Sequence, residues 1–252
     1  MSLITIIGRG HSGTRAMSHT LYASGVYMGR TINPSGDKVP PDDLYAACRI
    51  MADHVRWCGG LEWDFSALHT GPIDPEFVRL VERYLGDVLQ RQGPRGWKLP
   101  ETTLIYPWIV RLFPDARYIS WIRDPRDSVI GRHLTDDLAD FHVPYPPTTD
   151  ERERRAISWK YQYDLVRATP RPRHWLAVRY EDFVLDQERS LSRLEEFLDM
   201  PLARIIVRPD PIGRWKTDDQ PHYFDFLRTA MMENGYAEGL PQPAGTDAAV
   251  QP

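Results

Sequence analysis

The chain has 252 residues, of which 42% are apolar and 26% charged, which is the balance of a soluble globular protein. A chain of this length forms one α/β domain or at most two small ones. The formal net charge of −4 gives no general attraction to nucleic acid or to an anionic membrane. Any anion site must therefore be a local cluster of basic residues.

Cysteine usage and apolar run lengths predict a cytoplasmic protein. Cys48 and Cys58 form no C-x-x-C pair and have no metal-ligand spacing, which favours reduced thiols. The first apolar run stops at Gly8, which is too short for a signal peptide. No stretch approaches the ~20 apolar residues of a membrane span, so we expect none.

Strands and helices alternate along the chain. Residues 3–8 are a short, β-branched apolar run typical of a buried strand, and helical periodicity follows over 14–24 and 42–57. The clearest helix covers 74–91, where Asp74 can cap and Pro75 occupies the first turn. Further elements are a strand end at 95–101, a helix to about 112, strands at 118–122 and 174–180, and helices from 125, over 150–168 and over 186–198. An irregular stretch at 135–149 is a candidate lid or acceptor-facing loop.

This alternation predicts an α/β fold with a mainly parallel sheet flanked by helices. We expect a single domain over residues 1–240. The polar, Pro/Gly-rich residues 241–252 are expected to form a disordered tail.

The segment GRGHSGTR, residues 8–15, is rich in groups that bind anions. A strand, a glycine-rich loop and a helix N-terminus together present free backbone N–H groups and the positive end of a helix dipole. Gly10 and Gly13 allow the backbone to approach an anion closely. Ser12 and Thr14 offer hydroxyl donors. Positive charge or proton donors come from Arg9, His11 and Arg15. The P-loop pattern fits as far as Gly13, but Thr14 and Arg15 replace its lysine and hydroxyl residue. A purely structural turn is the alternative.

The segment WIRDPRD, residues 121–127, ends a predicted buried strand with an arginine. Such a position faces the crevice where open α/β sheets bind ligands. Asp124 and Pro125 turn the chain into a helix, and Arg126 and Arg132 add charge. The alternative is a surface cluster of ion pairs.

These two segments resemble motifs of the sulfotransferases that use 3′-phosphoadenosine 5′-phosphosulfate (PAPS) as sulfuryl donor. HSGTR is similar to that family's donor-loop core [KR]-S-G-T-[TS], and WIRDPRD is similar to its strand ending in Arg-[DN]-P-[KR]-D. Three weaker similarities follow in the family's order: GWKLPE at 96–101, VRYEDFV at 178–184 and IGRWK at 212–216. The five segments span most of the chain, from residue 3 to about 217, and imply a P-loop NTPase-like sulfotransferase architecture.

The resemblance implies a role for each matching residue. The loop 10–15 would hold the 5′-phosphosulfate, Lys98 would point toward the sulfuryl group, and Arg123 would bind the 3′-phosphate. Tyr180 would lie near the adenine, and residues Arg214, Trp215 and Lys216 would cover the nucleotide. Because sulfuryl transfer requires cationic donors at the leaving phosphate oxygen, we expect no metal site. The acceptor would be a hydroxyl or amine of a small molecule or glycan.

Three positions depart from the family's pattern. His11 stands where the family has lysine or arginine, so we expect activity to respond to pH near 6.5, the ordinary imidazole pKa. Arg15 replaces a hydroxyl residue. Gly131 occupies the place of a serine that binds the 3′-phosphate, and Ser128 or Arg132 could substitute for it.

The sequence leaves several residues as candidates for the catalytic base. The family uses histidine or glutamate from the segment near Lys98, which makes Glu101 the nearest candidate, although a helix-capping carboxylate is an equal interpretation. Other possible bases are His133, His54, Glu62 and His11. A group of aromatic residues could line an acceptor pocket or belong to the core: Trp57, Trp63, Phe65, Tyr106 and Trp108.

Two other functions fit parts of the sequence. A P-loop nucleotide kinase or NTPase shares the strand–loop–helix start, but the missing lysine argues against it. A nucleotide-binding protein that lost its chemistry is compatible with His11 and Gly131. Neither accounts for all five segments in order.

Overall fold

The computed structural model describes residues 3–240. Its helices and strands are, in chain order, β1 (Leu3–Ile7), α1 (Thr14–Ala23), α2 (Asp42–Ala52), β2 (Arg56–Gly59), β3 (Glu62–Asp64), α3 (Ser66–Thr70), α4 (Pro75–Leu89), β4 (Arg95–Trp97), α5 (Tyr106–Leu112), β5 (Arg117–Ile122), α6 (Pro125–Ser128), α7 (Glu151–Ala168), β6 (Trp175–Arg179), α8 (Tyr180–Leu185), α9 (Gln187–Leu198) and α10 (Arg228–Glu233). Short 3-10 helices cover Pro100–Ile105, Leu134–Asp136, Leu138–Phe141, Arg214–Lys216 and Asp225–Leu227.

The main sheet is parallel, with strand order β4-β1-β5-β6. Ile4 of β1 lies opposite Gly96 of β4, and Tyr118 of β5 lies opposite Trp175 of β6. Because all of these strands run the same way, their carboxyl ends meet at one edge of the sheet. The α/β fold expected from the sequence is confirmed.

Helices cover both faces of this sheet, as the alternation of side chains along β1 requires. Ile4 and Ile6 pack with α1, α8 and α9 on one face. Leu3 and Ile7 belong to a larger cluster on the other face, built from α2, α4, α5 and α7. Both faces of β1 are buried, which explains its continuous apolar run.

Aspartate caps fix several helix starts where the sequence predicted them. Asp74 accepts a hydrogen bond from the Glu76 amide at 2.7 Å, with Pro75 in the first turn of α4. Asp124 accepts one from the Arg126 amide at 2.9 Å and starts α6 immediately after β5. A cap of this kind typically stabilises a helix by about 1 kcal/mol.

Some predicted elements are corrected. The helix expected over 42–57 ends at Ala52, because the antiparallel hairpin of β2 and β3 takes the following residues. Gly59 pairs with Glu62, so Gly60 and Leu61 form the turn of that hairpin. Gly59 and Gly60 both have positive φ, which glycine adopts readily.

The stretch 135–149 is packed against the domain, with Leu138 and Phe141 fully buried, so its first half is not a lid. Among the five aromatic residues noted above, only Trp57 is well exposed, at 40%, and the other four belong to the core. The tail expected at 241–252 lies outside the described residues. Within 3–240, no helix has the length and apolar character that crossing a membrane demands.

Candidate functional site

A cleft of about 500 Å³ lies at the carboxyl edge of the parallel sheet. Gly8 follows β1, Lys98 follows β4, Arg123 follows β5 and Tyr180 follows β6, so each strand delivers one predicted site position to the same edge. The cleft is lined by Gly10, His11, Gly13, Thr14, Arg15, Ala16, His19, Ser35, Asp37, Lys98, Pro100, Arg123, His133, Tyr180, Ile205, Ile206, Val207, Arg208 and Pro211. The predicted donor loop, the arginine and the tyrosine are therefore brought together.

The loop between β1 and α1 is shaped by contacts from neighbouring elements. The Gly8 amide donates to Thr103 Oγ1 at 2.9 Å, and Trp121 Nε1 donates to the Ser12 carbonyl at 2.8 Å. Gly13 has φ of 85°, and a Cβ there would overlap the Tyr180 ring, so only glycine fits. The Ala16 amide donates to the Gly13 carbonyl at 3.0 Å, whereas the amides of Thr14 and Arg15 in the first turn of α1 have no partner within the helix and can bind an anion.

Arg123 is buried and held at several points. Its Nη1 donates to the His11 carbonyl at 3.0 Å, its Nη2 donates to the Pro211 carbonyl, and the guanidinium lies 4.8 Å from the centre of the Tyr180 ring. Asp127 lies 3.4 Å away on α6. Within the described chain its Nε has no partner, so this positive group at the cleft retains an unused donor.

Lys98 lies at the opposite wall and is also buried. Its Nζ donates to the Ser35 carbonyl at 3.1 Å and pairs with Asp37. Burial lowers the pKa of Lys98, and the carboxylate of Asp37 opposes that change. An ammonium has three donors, so Lys98 retains one for a ligand.

Glu101 lies beside Lys98, just behind the cleft wall. It is 2% exposed, and its Oε2 has no partner among residues 3–240. Burial raises the pKa of Glu101 to about 7, with a further increase from Asp37 that Lys98 opposes. Such a carboxylate is about half ionised near neutral pH, which suits proton transfer.

His133 lies between Glu101 and the cleft, with its Nε2 4.0 Å from Glu101 Oε1. The Thr135 amide donates to Nδ1 at 3.2 Å, so in the neutral ring the proton is on Nε2. Burial, with the charge of Arg9, lowers the pKa of His133 to about 3. His133 is therefore neutral at neutral pH, with an Nε2–H that could donate to a ligand in the cleft, and it is not a base.

Of the other candidate bases, only His11 lines the cleft. His54 packs against Trp108 with ring centres 5.0 Å apart, and Glu62 lies exposed on the β2–β3 hairpin. His11 lines the cleft, but burial and the charge of Arg9 lower its pKa. The pH response expected near 6.5 therefore moves to lower pH.

Arg9, Ser12 and Ser128 do not line the cleft, and their expected contact with a nucleotide stays a prediction. Arg9 donates to the Gly10 and Ser128 carbonyls at 3.0 and 3.1 Å and pairs with the buried Asp136. Together with Ser12 it lines a second cavity of about 200 Å³ behind the loop. Ser128 is fully buried and donates to the Asp124 carbonyl at 3.0 Å. Arg9 and Ser128 support the loop from the side away from the cleft, where Asp136 and α6 bind them.

The segment Arg214–Lys216 also lies outside the cleft lining. Trp215 stacks with Arg126 at 3.8 Å, and Lys216 pairs with Glu238 at 2.9 Å. Residues 205–208 and Pro211 line the cleft in its place, and we call them the roof. Arg208 of the roof brings a positive charge that sequence reasoning missed, because it lies in an irregular stretch without a motif.

Asp127 anchors the chain after the roof. Its two carboxylate oxygens accept hydrogen bonds from the Gly213 amide at 2.7 Å and the Trp215 amide at 3.0 Å. The last residue of the RDPRD motif thus holds the roof near Arg123. In the described part of the chain, no group of three or more His, Cys, Asp or Glu residues could hold a metal ion.

Residues 4–204 match the model of the Sulfotransferase family. The chain belongs to that family. Among curated relatives, a putative protein-tyrosine sulfotransferase of Caenorhabditis briggsae is 22% identical over 162 residues, covering 62% of this chain and 55% of the relative. Protein-tyrosine sulfotransferase 1 of Danio rerio is 26% identical over 160 residues, covering 61% of this chain and 43% of the relative. These alignments span about half the length of the relatives.

The fold of this family is also found in the solved structures. The sulfotransferase domain from the curacin biosynthetic pathway superposes with a TM-score of 0.58 at 12% identity, covering 93% of this chain and 98% of that domain. At that identity the similarity concerns the fold alone. The resemblance inferred from five short segments is confirmed at the level of family and architecture.

Proposed function

We propose that this sulfotransferase moves the sulfuryl group of PAPS to a phenolic hydroxyl by in-line transfer. The observation that carries the proposal is the meeting of the loop 10–15, Lys98, Arg123 and Tyr180 at one cleft. PAPS would supply an activated sulfuryl group on a phosphate that leaves with negative charge.

The residues of the cleft fit a ligand with two anionic ends. The amides of the loop and of the first turn of α1, with Thr14 and Arg15, would hold the phosphosulfate. Arg123, with an unused buried donor, would bind the 3′-phosphate, and Tyr180 beside it would contact the base. His11 lines the same wall as a neutral donor, and Lys98 would supply positive charge near the sulfuryl group.

Glu101 would accept the proton of the attacking hydroxyl through one bridging water, because its carboxylate lies behind the residues that line the cleft. Its raised pKa of about 7 is closer to that of a phenol, about 10, than to that of an alkyl hydroxyl. Nε2 of His133 lies 4.0 Å from the same carboxylate, which is longer than a hydrogen bond. A phenol also agrees with the names of the curated relatives, which are protein-tyrosine sulfotransferases. A small-molecule or glycan hydroxyl or amine, the acceptor expected from the sequence, is the second candidate.

Calorimetry with adenosine 3′,5′-bisphosphate tests the donor site. We expect metal-independent binding that Arg123→Ala weakens strongly. Absence of binding to the wild type, or equal binding by the variant, would refute the proposal. Mg²⁺-dependent binding of ATP in its place would support a kinase or NTPase.

Transfer of labelled sulfate from PAPS tests the acceptor. We would compare a tyrosine-containing peptide, p-nitrophenol and an oligosaccharide under the same conditions. Transfer to either phenol supports the proposal, and the peptide separates a protein acceptor from a small one. Transfer to the oligosaccharide alone would contradict a phenolic acceptor, and no transfer to any acceptor would favour a protein that binds nucleotide without chemistry.

A further inference from the structure

Two histidines and two glycines from distant segments interlock at the wall of the cleft. Gly10 and His11 belong to the donor loop, and Gly131 and His133 follow α6. The imidazole rings of His11 and His133 lie edge to face, with centres 5.8 Å apart and planes at 80°. We call these four residues the Gly–His clasp.

Each glycine of the clasp vacates the space that the histidine of the other segment fills. A Cβ on Gly131 would lie 2.6 Å from His11 Nδ1 and 3.0 Å from both Cγ and Cε1. A Cβ on Gly10 would overlap the ring of His133, with Cδ2, Cγ and Nε2 as its nearest atoms. Carbon atoms in good contact are about 3.5–4.0 Å apart, so either ring would have to move by about 1 Å or more.

Backbone conformation does not explain these glycines. Neither Gly10 nor Gly131 has a φ in the left-handed region, whereas Gly13 does. An alanine at position 131 could therefore keep the same backbone, and the three heavy atoms nearest to its Cβ would all belong to the ring of His11. The need for glycine at 131 is a need for space.

We propose that Gly131 is a positioning residue that seats the imidazole of His11 at the donor site, and that Gly10 does the same for His133. His11 stands where the resemblance expects lysine or arginine, and Gly131 where it expects serine. The clasp couples these two departures from the family's pattern, because the imidazole at position 11 fits only when position 131 has no side chain. This inference rests on the proposed function for its role in nucleotide binding, but its geometry does not.

Charged and titratable groups surround both rings. Burial and the charges of Arg9 and Arg123 lower the pKa of His11, and Asp136 opposes that change. His133 is influenced by Arg9 and Lys98 and faces Glu101. A displaced ring would change its distances to these groups, so its titration reports its position.

A double-mutant cycle over Gly131→Ala and His11→Ala tests the clasp. In the wild-type background we expect Gly131→Ala to weaken binding of adenosine 3′,5′-bisphosphate by about tenfold or more and to lower Tm. In the His11→Ala background the same alanine meets no ring, so affinity and Tm should change little, by about twofold or less in affinity. Equal losses in both backgrounds, or no loss in either, would overturn the proposal.

The control is Gly86→Ala on α4, where a Cβ has no heavy atom within 4 Å. This variant should fold and bind as the wild type does. Imidazole NMR provides a measurement that needs no nucleotide: Gly131→Ala should shift the His11 ring signals and its pKa, and Gly86→Ala should not. If the wild type binds no nucleotide, the proposed function fails while the NMR comparison still decides the clasp. Unchanged His11 signals in Gly131→Ala would refute it.

Discussion

Replacement of Glu101 by glutamine should abolish most activity and yet make the protein more stable at alkaline pH. The carboxyl is 2% exposed, and its pKa is raised from an ordinary 4.5 to about 7, chiefly by burial. Each pKa unit corresponds to about 1.4 kcal/mol, so ionising Glu101 in the folded protein costs about 3 kcal/mol more than in the unfolded chain.

Stability decreases with rising pH because the folded state binds this proton more tightly than the unfolded chain does. Between pH 4.5 and 7 the folded state holds a proton on Glu101 that the unfolded state has released, so stability falls as pH rises through this window. About 2 kcal/mol of the loss falls between pH 5.5 and 8.0. Glutamine does not titrate, so the variant should lack this part of the pH dependence.

The assay is urea unfolding of the wild type and Glu101→Gln at both pH values, with kcat/KM at pH 7.5. We expect the wild type to lose about 2 kcal/mol more than the variant on going from pH 5.5 to 8.0, and kcat/KM of the variant to fall by about 10²- to 10⁴-fold. Glu82→Gln, on the exposed side of α4, is the control and should change neither quantity. Parallel pH profiles of stability for the wild type and Glu101→Gln would refute the raised pKa, and retained activity would refute the role as base.

Three further changes separate the donor site from its supports. Arg123→Ala should weaken adenosine 3′,5′-bisphosphate binding by about 10- to 100-fold in calorimetry, because a charged donor is lost, whereas the exposed Arg132→Ala should change it by about twofold or less. Asp127→Ala should free the chain after the roof, seen as faster tryptic cleavage in the segment 208–216; an unchanged digestion pattern would contradict the anchoring. Arg9→Ala should lower the free energy of unfolding by about 1–3 kcal/mol, because the buried Asp136 loses its charged partner and keeps the His133 amide at 2.6 Å and the more distant Arg155 at 4.0 Å. A normal urea midpoint for that variant would show that the pair is not structural.

The sequence predicted which residues lie at the carboxyl edge of the sheet, because each of them is part of a short segment that directly follows a strand. Lys98, Arg123 and Tyr180 each follow a short apolar strand directly, and parallel strands bring their carboxyl ends together whatever the loops do. The same argument placed the loop 10–15. Strand recognition and one rule of topology placed Arg123, whereas Lys98 and Tyr180 were assigned by the resemblance of GWKLPE and VRYEDFV to motifs of the family.

Side-chain direction could not be predicted in the same way. Arg9 is within the loop by sequence, but Asp136 and the Ser128 carbonyl hold it behind the loop, and both come from more than 100 residues away. Arg208 faces the cleft because the roof crosses it, and its irregular segment carries no periodicity. His133 is one of several possible bases in the sequence, because its tautomer and its surroundings depend on the contact with Thr135 and on the position of Glu101.

The hairpin after α2 was missed for a different reason. Helical periodicity continues through Trp57, and it competed with the Gly59–Gly60 pair, which is the local signal for a tight turn. Tertiary packing decides between the two, since Trp63 is buried against Tyr161 of α7. A single sequence does not contain that contact.

The position of Asp127 has a kinetic consequence. Its carboxylate lies 3.4 Å from Arg123 and also holds two amides of the chain that follows the roof, while Arg123 itself bonds to the Pro211 carbonyl. Under the proposed function, loss of the spent nucleotide and movement of the roof would break hydrogen bonds that share these two side chains. Release of the spent nucleotide would then involve these contacts together, and turnover at saturating substrate that slows in viscous solvent would identify this release as the slow step.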